Sequence, residues 1–218
     1  MIGEFLVIGL GRFGQGLVLG LARLGQSVMA VDTDESRVQS VAASIDAVVC
    51  ADATDESALR ELHPERMTCV VVAIGAEAMQ SSIMAVALLQ QMGVPRIVAR
   101  AVDELHARVL RAVGAHEIVN PEAEIADRLA RRLAQPDVFS QIELGDEADL
   151  AEVAAPAAFI GKTLVELDVR RKYGVSVVAI RKGDSIRANP GGNERLESND
   201  VMVLIGTKPA IRRLASLA

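Results

Sequence analysis

Short runs of apolar residues alternate along the first 120 residues with segments that carry apolar residues at helical spacing. The apolar runs, each predicted to be a β-strand, are 5–8, 27–31, 47–50, 69–73, 97–99 and 117–119. The helical segments between them are 14–24, 36–44, 56–62, 81–92 and 103–113. Because the strand runs are continuously apolar, each strand is expected to be covered on both faces, as in a parallel sheet. The alternation with short loops predicts a Rossmann-like α/β fold with a doubly wound parallel sheet.

The pattern changes after Pro121, where regular alternation gives way to short strands and polar turns. The elements predicted in this part are a helix at 122–133, strands at 176–180 and 201–205, and a terminal helix at 209–217. The first of these helices carries Ile125, Leu129 and Leu133 on one stripe. We therefore predict a first domain at 1–134, a linker at 135–140 and a second, smaller α+β domain at 141–218.

Composition and charge exclude several classes of protein. The chain has 218 residues, of which 50% are hydrophobic and 24% are charged, so it is expected to form a substantial core. Its net charge is -6 and only 2% of its residues are aromatic, which makes nucleic-acid binding unexpected. The longest uncharged apolar stretch, 67–76, is too short to cross a bilayer, and the start carries no basic segment typical of a signal peptide. A cytoplasmic location is therefore expected.

The cysteines and histidines do not form a metal-binding pattern. Cys50 and Cys69 both lie in apolar runs and are predicted to be reduced residues of the core. His63, His106 and His116 are far apart in the sequence, and none has the spacing of a metal ligand.

A glycine-rich motif follows the first predicted strand and opens the first predicted helix. In it Gly9, Gly11 and Gly14 are separated by Leu10 and by Arg12-Phe13. The first glycine allows a tight turn, the second lets a pyrophosphate approach the backbone, and the third lets the helix pack closely on the strand. The helix N-terminus then offers free N–H groups to the phosphates. The pattern predicts a nucleotide site, with a purely structural glycine loop as the alternative.

Two charged residues refine the prediction of a ligand. Asp32 ends the second strand, where a carboxylate accepts the ribose hydroxyls of an adenosine and repels a 2′-phosphate. The alternative is that Asp32 caps the following turn. Arg12 places a full positive charge beside the phosphates. A hydride-transfer site does not require this charge, whereas a ligand with more phosphate charge, such as ADP or ATP, would use it. The alternative is a solvated surface arginine.

Two further carboxylates follow predicted strands. Asp52, in the segment 52–54, ends the third strand at the edge where nucleotides bind in such sheets, although it could equally form an Asx turn or a helix cap. Glu122 follows the sixth strand. A carboxylate there could share Mg²⁺ with a bound polyphosphate, and the alternative is a solvated residue of the first helical turn.

Motifs from both halves of the chain resemble those of the regulatory RCK (KTN) domain of Ktr and Trk potassium-uptake systems. In the first half the resemblance is carried by the glycine motif 9–14 and by 52–54, 72–75, 114–115 and 120–122. The second half resembles the TrkA-C lobe at 160–164, 167–170, 172–175, 178–181, 189–190 and 199–200. One copy of each lobe in this order is typical of KtrA-type subunits.

The resemblance implies a set of nucleotide-binding residues. They are Gly9, Gly11, Arg12, Phe13, Gly14, Asp32, Thr33, Asp34, Asp52, Ala53, Ile74, Gly75, Ala76, Arg100, His106 and Glu122. By the resemblance, Asp52 and Ala53 lie at the adenine side, and the loop from Ile74 lies over the nucleotide. Arg100 and His106 are implied to be basic residues near the phosphates. Glu122 is implied to bind a divalent cation, Mg²⁺ or Ca²⁺, when ATP is bound.

The resemblance also implies a function without catalysis. Such subunits bind ATP or ADP, with NAD or NADH as a further ligand, and dimers assemble into an octameric ring. The ring docks under an integral-membrane potassium transporter at the inner face of the membrane and gates it, and in some relatives the C-terminal lobe binds cyclic di-AMP. An NAD-dependent dehydrogenase is the alternative, although 141–218 shows no obvious proton-transfer arrangement. A nucleotide-sensing repressor is a third interpretation, which the acidic charge disfavours.

Overall fold

The computed structural model describes residues 3–45, 47–134, 138–145 and 147–217. The chain divides into two compact units, Met1–Ile125 and Ala126–Ala218. The predicted domain limits and linker stay a prediction. Residues 135–137 of that linker lie outside the described residues, and the first strand of the second unit begins at Val138.

The first unit is built on a six-stranded parallel sheet. Its strands are β1 Glu4–Ile8, β2 Ser27–Asp32, β3 Ala47–Cys50, β4 Cys69–Val72, β5 Ile97–Arg100 and β6 Glu117–Val119. They lie in the order β3-β2-β1-β4-β5-β6, with every neighbouring pair parallel. The chain therefore starts in the middle of the sheet and winds outward in both directions, which confirms the predicted doubly wound α/β fold.

Helices connect these strands and cover both faces of the sheet. They are α1 Arg12–Arg23, α2 Glu35–Ala42, α3 Glu56–Glu61, α4 Met79–Gln91 and α5 Glu104–Ala112, with α6 Pro121–Ala134 following β6. Within β1, Leu6 and Ile8 belong to one hydrophobic cluster, whereas Val7 between them belongs to another. Because successive strand residues point to opposite faces, this split explains why residues 5–8 of this strand are continuously apolar.

The second unit contains a five-stranded antiparallel sheet. Its strands are β7 Val138–Glu143, β8 Asp149–Ala154, β9 Val175–Lys182, β10 Ser185–Ala188 and β11 Val201–Gly206, in the order β10-β9-β11-β8-β7. Its helices are α7 Leu164–Leu167, α8 Val169–Tyr173 and α9 Lys208–Ala215. Ile180, Met202 and Leu204 pack against Ile211 of α9 in its core. The unit confirms the predicted smaller α+β domain.

The two cysteines differ in their surroundings. Cys69 in β4 is buried, as predicted, and burial raises the pKa of its thiol. Cys50 is exposed at the end of β3, so its prediction as a core residue was wrong. The strand it ends is at the edge of the sheet, where only one side of the backbone is paired. None of the described helices combines the length and apolar character that a membrane crossing needs.

Candidate functional site

A cavity of about 780 Å³ opens in the first unit, at the carboxyl ends of the parallel strands. This is the edge at which ligands bind in open α/β sheets. Most of the predicted residues line it, namely Gly9, Gly11, Arg12, Phe13, Asp32, Thr33, Asp52, Ala53, Ile74, Gly75, Ala76, Arg100 and Glu122. Three predicted residues do not appear in its lining, and these are Gly14, Asp34 and His106.

The glycine loop between β1 and α1 forms one wall of the cavity. Gly9 has a φ of 96°, a left-handed conformation that favours glycine, and its N–H donates to Val31 O at 2.7 Å. A Cβ on Gly14 would lie 1.9 Å from Gly9 O, so this position lets α1 pack on the loop and does not face the cavity. A Cβ on Gly11 would have nothing within 4 Å. The loop therefore leaves open space at Gly11, the position that a phosphate would approach.

The Asp32 carboxylate ties the glycine loop to the end of β2. It is buried, and its Oδ2 accepts from the Leu10 N–H at 2.6 Å while its Oδ1 accepts from the Asp34 N–H at 2.9 Å. The hydrogen bond from the Asp34 N–H is the contact expected if Asp32 caps the following turn, the alternative interpretation of this residue. The same carboxylate also lines the cavity.

Arg37, in the first half of α2, is a lining residue that sequence reasoning missed. Its Nη1 lies 3.6 Å from Asp32 Oδ2, and its Nε lies 3.5 Å from Asp34 Oδ2. Asp34 is the N-cap of α2, and its hydrogen bonds from Ser36 hold its pKa below the usual range. The signal for Arg37 was its spacing of three residues from Asp34, which brings the two side chains together on a helix.

Asp52 closes an Asx turn at the end of β3. Its Oδ1 accepts from the Thr54 N–H at 2.9 Å and from Thr54 Oγ1 at 2.8 Å, and these bonds lower the pKa of Asp52. The cap of α3 is Asp55, whose carboxylate accepts from the Ser57 N–H at 2.8 Å. Asp52 therefore lines the cavity and forms the turn, so the two interpretations of this residue are compatible.

Two of the lining arginines, Arg12 and Arg100, form what we call the arginine end of the cavity. Arg12 is exposed in the first turn of α1 and has no ion pair among the described residues. Arg100, at the end of β5, is largely buried, forms an ion pair with Glu122, and has its Cζ 5.9 Å from the centroid of the Phe13 ring. Its Nε is also buried, and within the described part of the chain it has no hydrogen-bond partner. This end thus offers positive charge and an unsatisfied donor to an anion.

The loop after β4 covers the space between these ends. Ile74, Gly75 and Ala76 line the cavity as predicted, and a Cβ on Gly75 would lie 3.5 Å from Arg100 Nη1. The lining extends to residues that the sequence did not assign to the site, which are Ile8, Val31, Ala51, Thr54, Ala73, Glu77, Ala78 and Ser81. Most of them are backbone neighbours of predicted residues, so the strand-end pattern could have found them.

His106 lies in the first turns of α5, and its imidazole is buried. Its backbone N–H donates to Asp103 Oδ1 at 2.7 Å, and its Nδ1 accepts from the Val102 N–H at 3.4 Å. Burial lowers the pKa of His106, and the nearby Asp103 carboxylate opposes this shift. Its predicted place near the phosphates stays a prediction, and the structure does not bring it to the cavity lining.

Comparison with known proteins identifies both parts of the chain. A model of the TrkA-N domain matches residues 5–121, and a model of the TrkA-C domain matches residues 150–218. The Ktr system potassium uptake protein C of Bacillus subtilis is 39% identical over 210 residues, which cover 96% of this chain and 95% of that protein. The Ktr system potassium uptake protein A of the same species is 35% identical, over 96% of this chain and 94% of that protein.

Solved structures agree with the fold. The GsuK RCK domain has a TM-score of 0.67 and 20% identity, with 100% of this chain and 48% of that chain covered. The GsuK channel bound to NAD has a TM-score of 0.65 and 19% identity, with 100% of this chain and 39% of that chain covered. At this identity the likeness establishes the arrangement of helices and strands alone.

Proposed function

The chain belongs to the family of Ktr and Trk potassium uptake regulatory proteins, and from this we propose that it senses an adenine nucleotide and gates a membrane potassium transporter. The proposed ligand is ATP or ADP, bound in the cavity of the first unit. We propose that the protein acts at the cytoplasmic face of the membrane, bound to an integral-membrane transporter subunit. No bond of the ligand has to break for this function.

The observation that carries the proposal is the charge distribution in the cavity. At one end Arg12 is without an ion pair among the described residues, and Arg100 has a buried Nε without a partner there. The glycine loop, to which Arg12 itself belongs, leaves room at Gly11 for phosphates to approach the backbone. A ligand with several phosphate charges satisfies these donors better than a ligand with few.

The adenosine half of the ligand is assigned to the opposite end. Asp32 is fixed by two backbone N–H groups, so it presents a carboxylate of defined orientation to the ribose hydroxyls. The same end would accept the adenosine of NAD or NADH, and NAD is the ligand of the GsuK channel structure. The two ligand classes therefore share the adenosine contacts and differ at the arginine end.

A divalent cation, Mg²⁺ or Ca²⁺, fits the site only together with a polyphosphate. No group of three His, Cys, Asp or Glu side chains that could hold a metal occurs among the described residues. Glu122 lines the cavity and can supply one carboxylate, and the other ligands would be phosphate oxygens and water. We therefore propose Glu122 as a cation ligand in the ATP state alone.

Gating requires that ATP and ADP bind the two states of the assembly with different affinities. We propose that dimers of the chain form an octameric ring whose shape depends on which nucleotide is bound. The charges that can sense a third phosphate are those of Arg12 and Arg100. Binding of cyclic di-AMP between two copies of the second unit is a separate proposal. Calorimetric titration of the protein with cyclic di-AMP tests it.

Calorimetric titration of wild type and Arg12→Ala with ATP, ADP and NAD tests the proposal. We expect Arg12→Ala to weaken ATP binding about tenfold, the value of one charge-assisted contact, and NAD binding by clearly less. Arg23→Ala, an exposed arginine in the last turn of α1, is the matched control and leaves both affinities unchanged. Equal losses for ATP and NAD would contradict a role for Arg12 in sensing phosphate charge.

The native mass with and without nucleotide tests the assembly. An octamer supports ring gating, whereas a monomer under all conditions would contradict it. The dehydrogenase alternative is tested by incubating the protein with NADH and a panel of 2-hydroxy and 2-keto acids. Robust turnover of any of these would replace the regulatory proposal.

A further inference from the structure

The guanidinium of Arg100 is paired with the Glu122 carboxylate, although it is also the group that a phosphate bound in the cavity would need. Arg100 ends β5 and Glu122 lies in the first turn of α6, so the pair joins the end of the sheet to that helix. Both residues line the cavity. A carboxylate and a phosphate oxygen use the same guanidinium donors with the same bidentate geometry. Glu122 and a bound phosphate are therefore competitors for one group.

The two members of the pair are held with unequal strength. The side chain of Arg100 is 15% exposed and its guanidinium lies against the Phe13 ring, so it is fixed by its surroundings. The side chain of Glu122 is 64% exposed, so water can solvate it at once when it leaves. An arriving anion would thus displace the carboxylate and leave the arginine where it is.

We propose that Glu122 acts as an internal competitor for Arg100 and thereby lowers the affinity of the cavity for ligands that place a phosphate on Arg100, most of all for ligands that carry a terminal phosphate. This inference rests on the proposed nucleotide function of the cavity and gives Glu122 a role in limiting ligand affinity that does not depend on a cation. A terminal phosphate carries close to two negative charges at neutral pH, whereas each bridging phosphate of a dinucleotide carries one. The more highly charged group displaces a carboxylate more readily.

Displacement also has a consequence for α6. The start of this helix is fixed by Asn120, whose Oδ1 accepts from the Ala123 N–H at 3.0 Å and whose O accepts from the Glu124 N–H at 3.0 Å. The Arg100–Glu122 pair is an additional contact of this first turn with the sheet. Loss of the pair on ligand binding therefore changes how the first turn of α6 is held, while the backbone cap at Asn120 remains.

The test is calorimetric titration of full-length Glu122→Gln with ADP, ATP and NAD in a buffer that contains EDTA. Without a divalent cation the variant lacks only the competing charge. We expect ADP and ATP to bind about two- to fivefold more tightly than to wild type, the range that a solvent-exposed ion pair supports, and NAD to gain less. A residue that served the ligand or the fold directly would instead weaken binding when replaced.

Glu124→Gln is the matched control, since Glu124 lies in the same first turn of α6, is exposed and is outside the cavity lining. It removes the same charge from the same helix end, so it measures the through-space effect. Arg100→Met and Arg100→Met/Glu122→Gln complete the cycle, and the gain should vanish when Arg100 is absent. Circular dichroism confirms that each variant is folded.

The outcomes separate the inference from the function on which it rests. If wild type binds ADP and ATP but Glu122→Gln shows no gain, or gains no more than Glu124→Gln, internal competition is wrong and the nucleotide function stands. A gain that persists without Arg100 likewise overturns the competition. If wild type binds none of ADP, ATP, NAD and inorganic tripolyphosphate, the proposed function and this inference are both overturned.

Discussion

The two ends of the cavity differ in how far their charged side chains are already hydrogen-bonded within the protein. At the carboxylate end, formed by Asp32 and Asp52 with Arg37 beside Asp32, each carboxylate accepts N–H groups of nearby backbone. At the arginine end, formed by Arg12 and Arg100, the cations have little backbone support, and the described residues offer Arg100 a single carboxylate. One end is satisfied before any ligand arrives, and the other is not.

This difference assigns different tasks to the two ends. A carboxylate fixed by buried hydrogen bonds loses little freedom on binding, so it can set the position of a common part of several ligands. Unsatisfied cations respond to the charge of what is bound, so they can distinguish ligands that share that part. Adenosine ligands that differ in their phosphate chains would use both ends: the carboxylate end would hold the shared adenosine, and the arginine end would distinguish the phosphate chains.

The largest expected effect comes from removing the support of the arginine end. In Gly14→Ala the new Cβ would lie 1.9 Å from Gly9 O, a backbone atom that cannot move aside. We expect the free energy of unfolding to fall by about 3 kcal/mol or more, because α1 must separate from the loop. Chemical denaturation monitored by circular dichroism measures this loss.

Gly11→Ala is the matched control for Gly14→Ala. Its Cβ would meet nothing within 4 Å, and its φ of -66° suits any residue, so the stability should change by less than about 1 kcal/mol. Affinity for ADP should nevertheless fall, since the added methyl group occupies the space that phosphates approach. If Gly11→Ala bound ADP as tightly as wild type, the phosphates would not lie at this loop.

A smaller effect is expected from the carboxylate end. Asp32→Asn places an amide donor against either the Leu10 N–H or the Asp34 N–H, both of which donate to the carboxylate. One buried N–H then lacks an acceptor, which costs about 1–3 kcal/mol in the free energy of unfolding. Denaturation measures it, and titration with ADP measures the accompanying loss of affinity.

Asp52→Asn separates the two carboxylates of this end. Asp52 is exposed, and among the described residues its side chain bonds only to Thr54, so its replacement should cost under about 0.5 kcal/mol. Equal losses for the two variants would mean that the buried contacts of Asp32 do not make it special. The two ends of the cavity would then differ only in the sign of their charge.

The sheet of the first unit was predictable because burial on both faces makes each strand a continuous apolar run. Leu6 and Val7 enter different clusters, yet both are buried. In the second unit β9 and β11 were predicted from such runs, whereas β7, β8 and β10 were not. The buried positions of β8 begin with Asp149, and all four residues of β10 are exposed, so neither strand shows a strong apolar pattern.

The site was predictable where local sequence decides geometry. The glycine loop and Asp32 follow directly from the ends of β1 and β2, and both line the cavity. Side chains on helices were harder, because the rotation of each helix decides which residues reach the cavity. Arg37 of α2 was missed for this reason, and His106 of α5 was assigned by resemblance but lies buried outside the lining.

The smallest expected effect concerns His106, which would belong to the arginine end if its predicted place were correct. Burial lowers its pKa, so as the pH falls through the ordinary histidine pKa of ~6.5 the unfolded chain binds a proton that the folded chain does not yet bind. Its contribution to stability is therefore complete at pH above ~6.5 and is lost as the pH falls through the folded-state pKa. We expect the free energy of unfolding to fall more steeply with decreasing pH in wild type than in His106→Asn.

The same histidine decides how far the arginine end extends. A phosphate close to the imidazole would raise the pKa of His106, since a nearby negative charge favours the protonated form. A buried imidazole whose Nδ1 accepts from the Val102 N–H should keep its lowered pKa when ADP is added. Nuclear magnetic resonance titration of the imidazole with and without ADP distinguishes the two cases. A clear rise with ADP would place His106 beside the phosphates after all, and the arginine end would then contain three cations, one of which the pH could switch off.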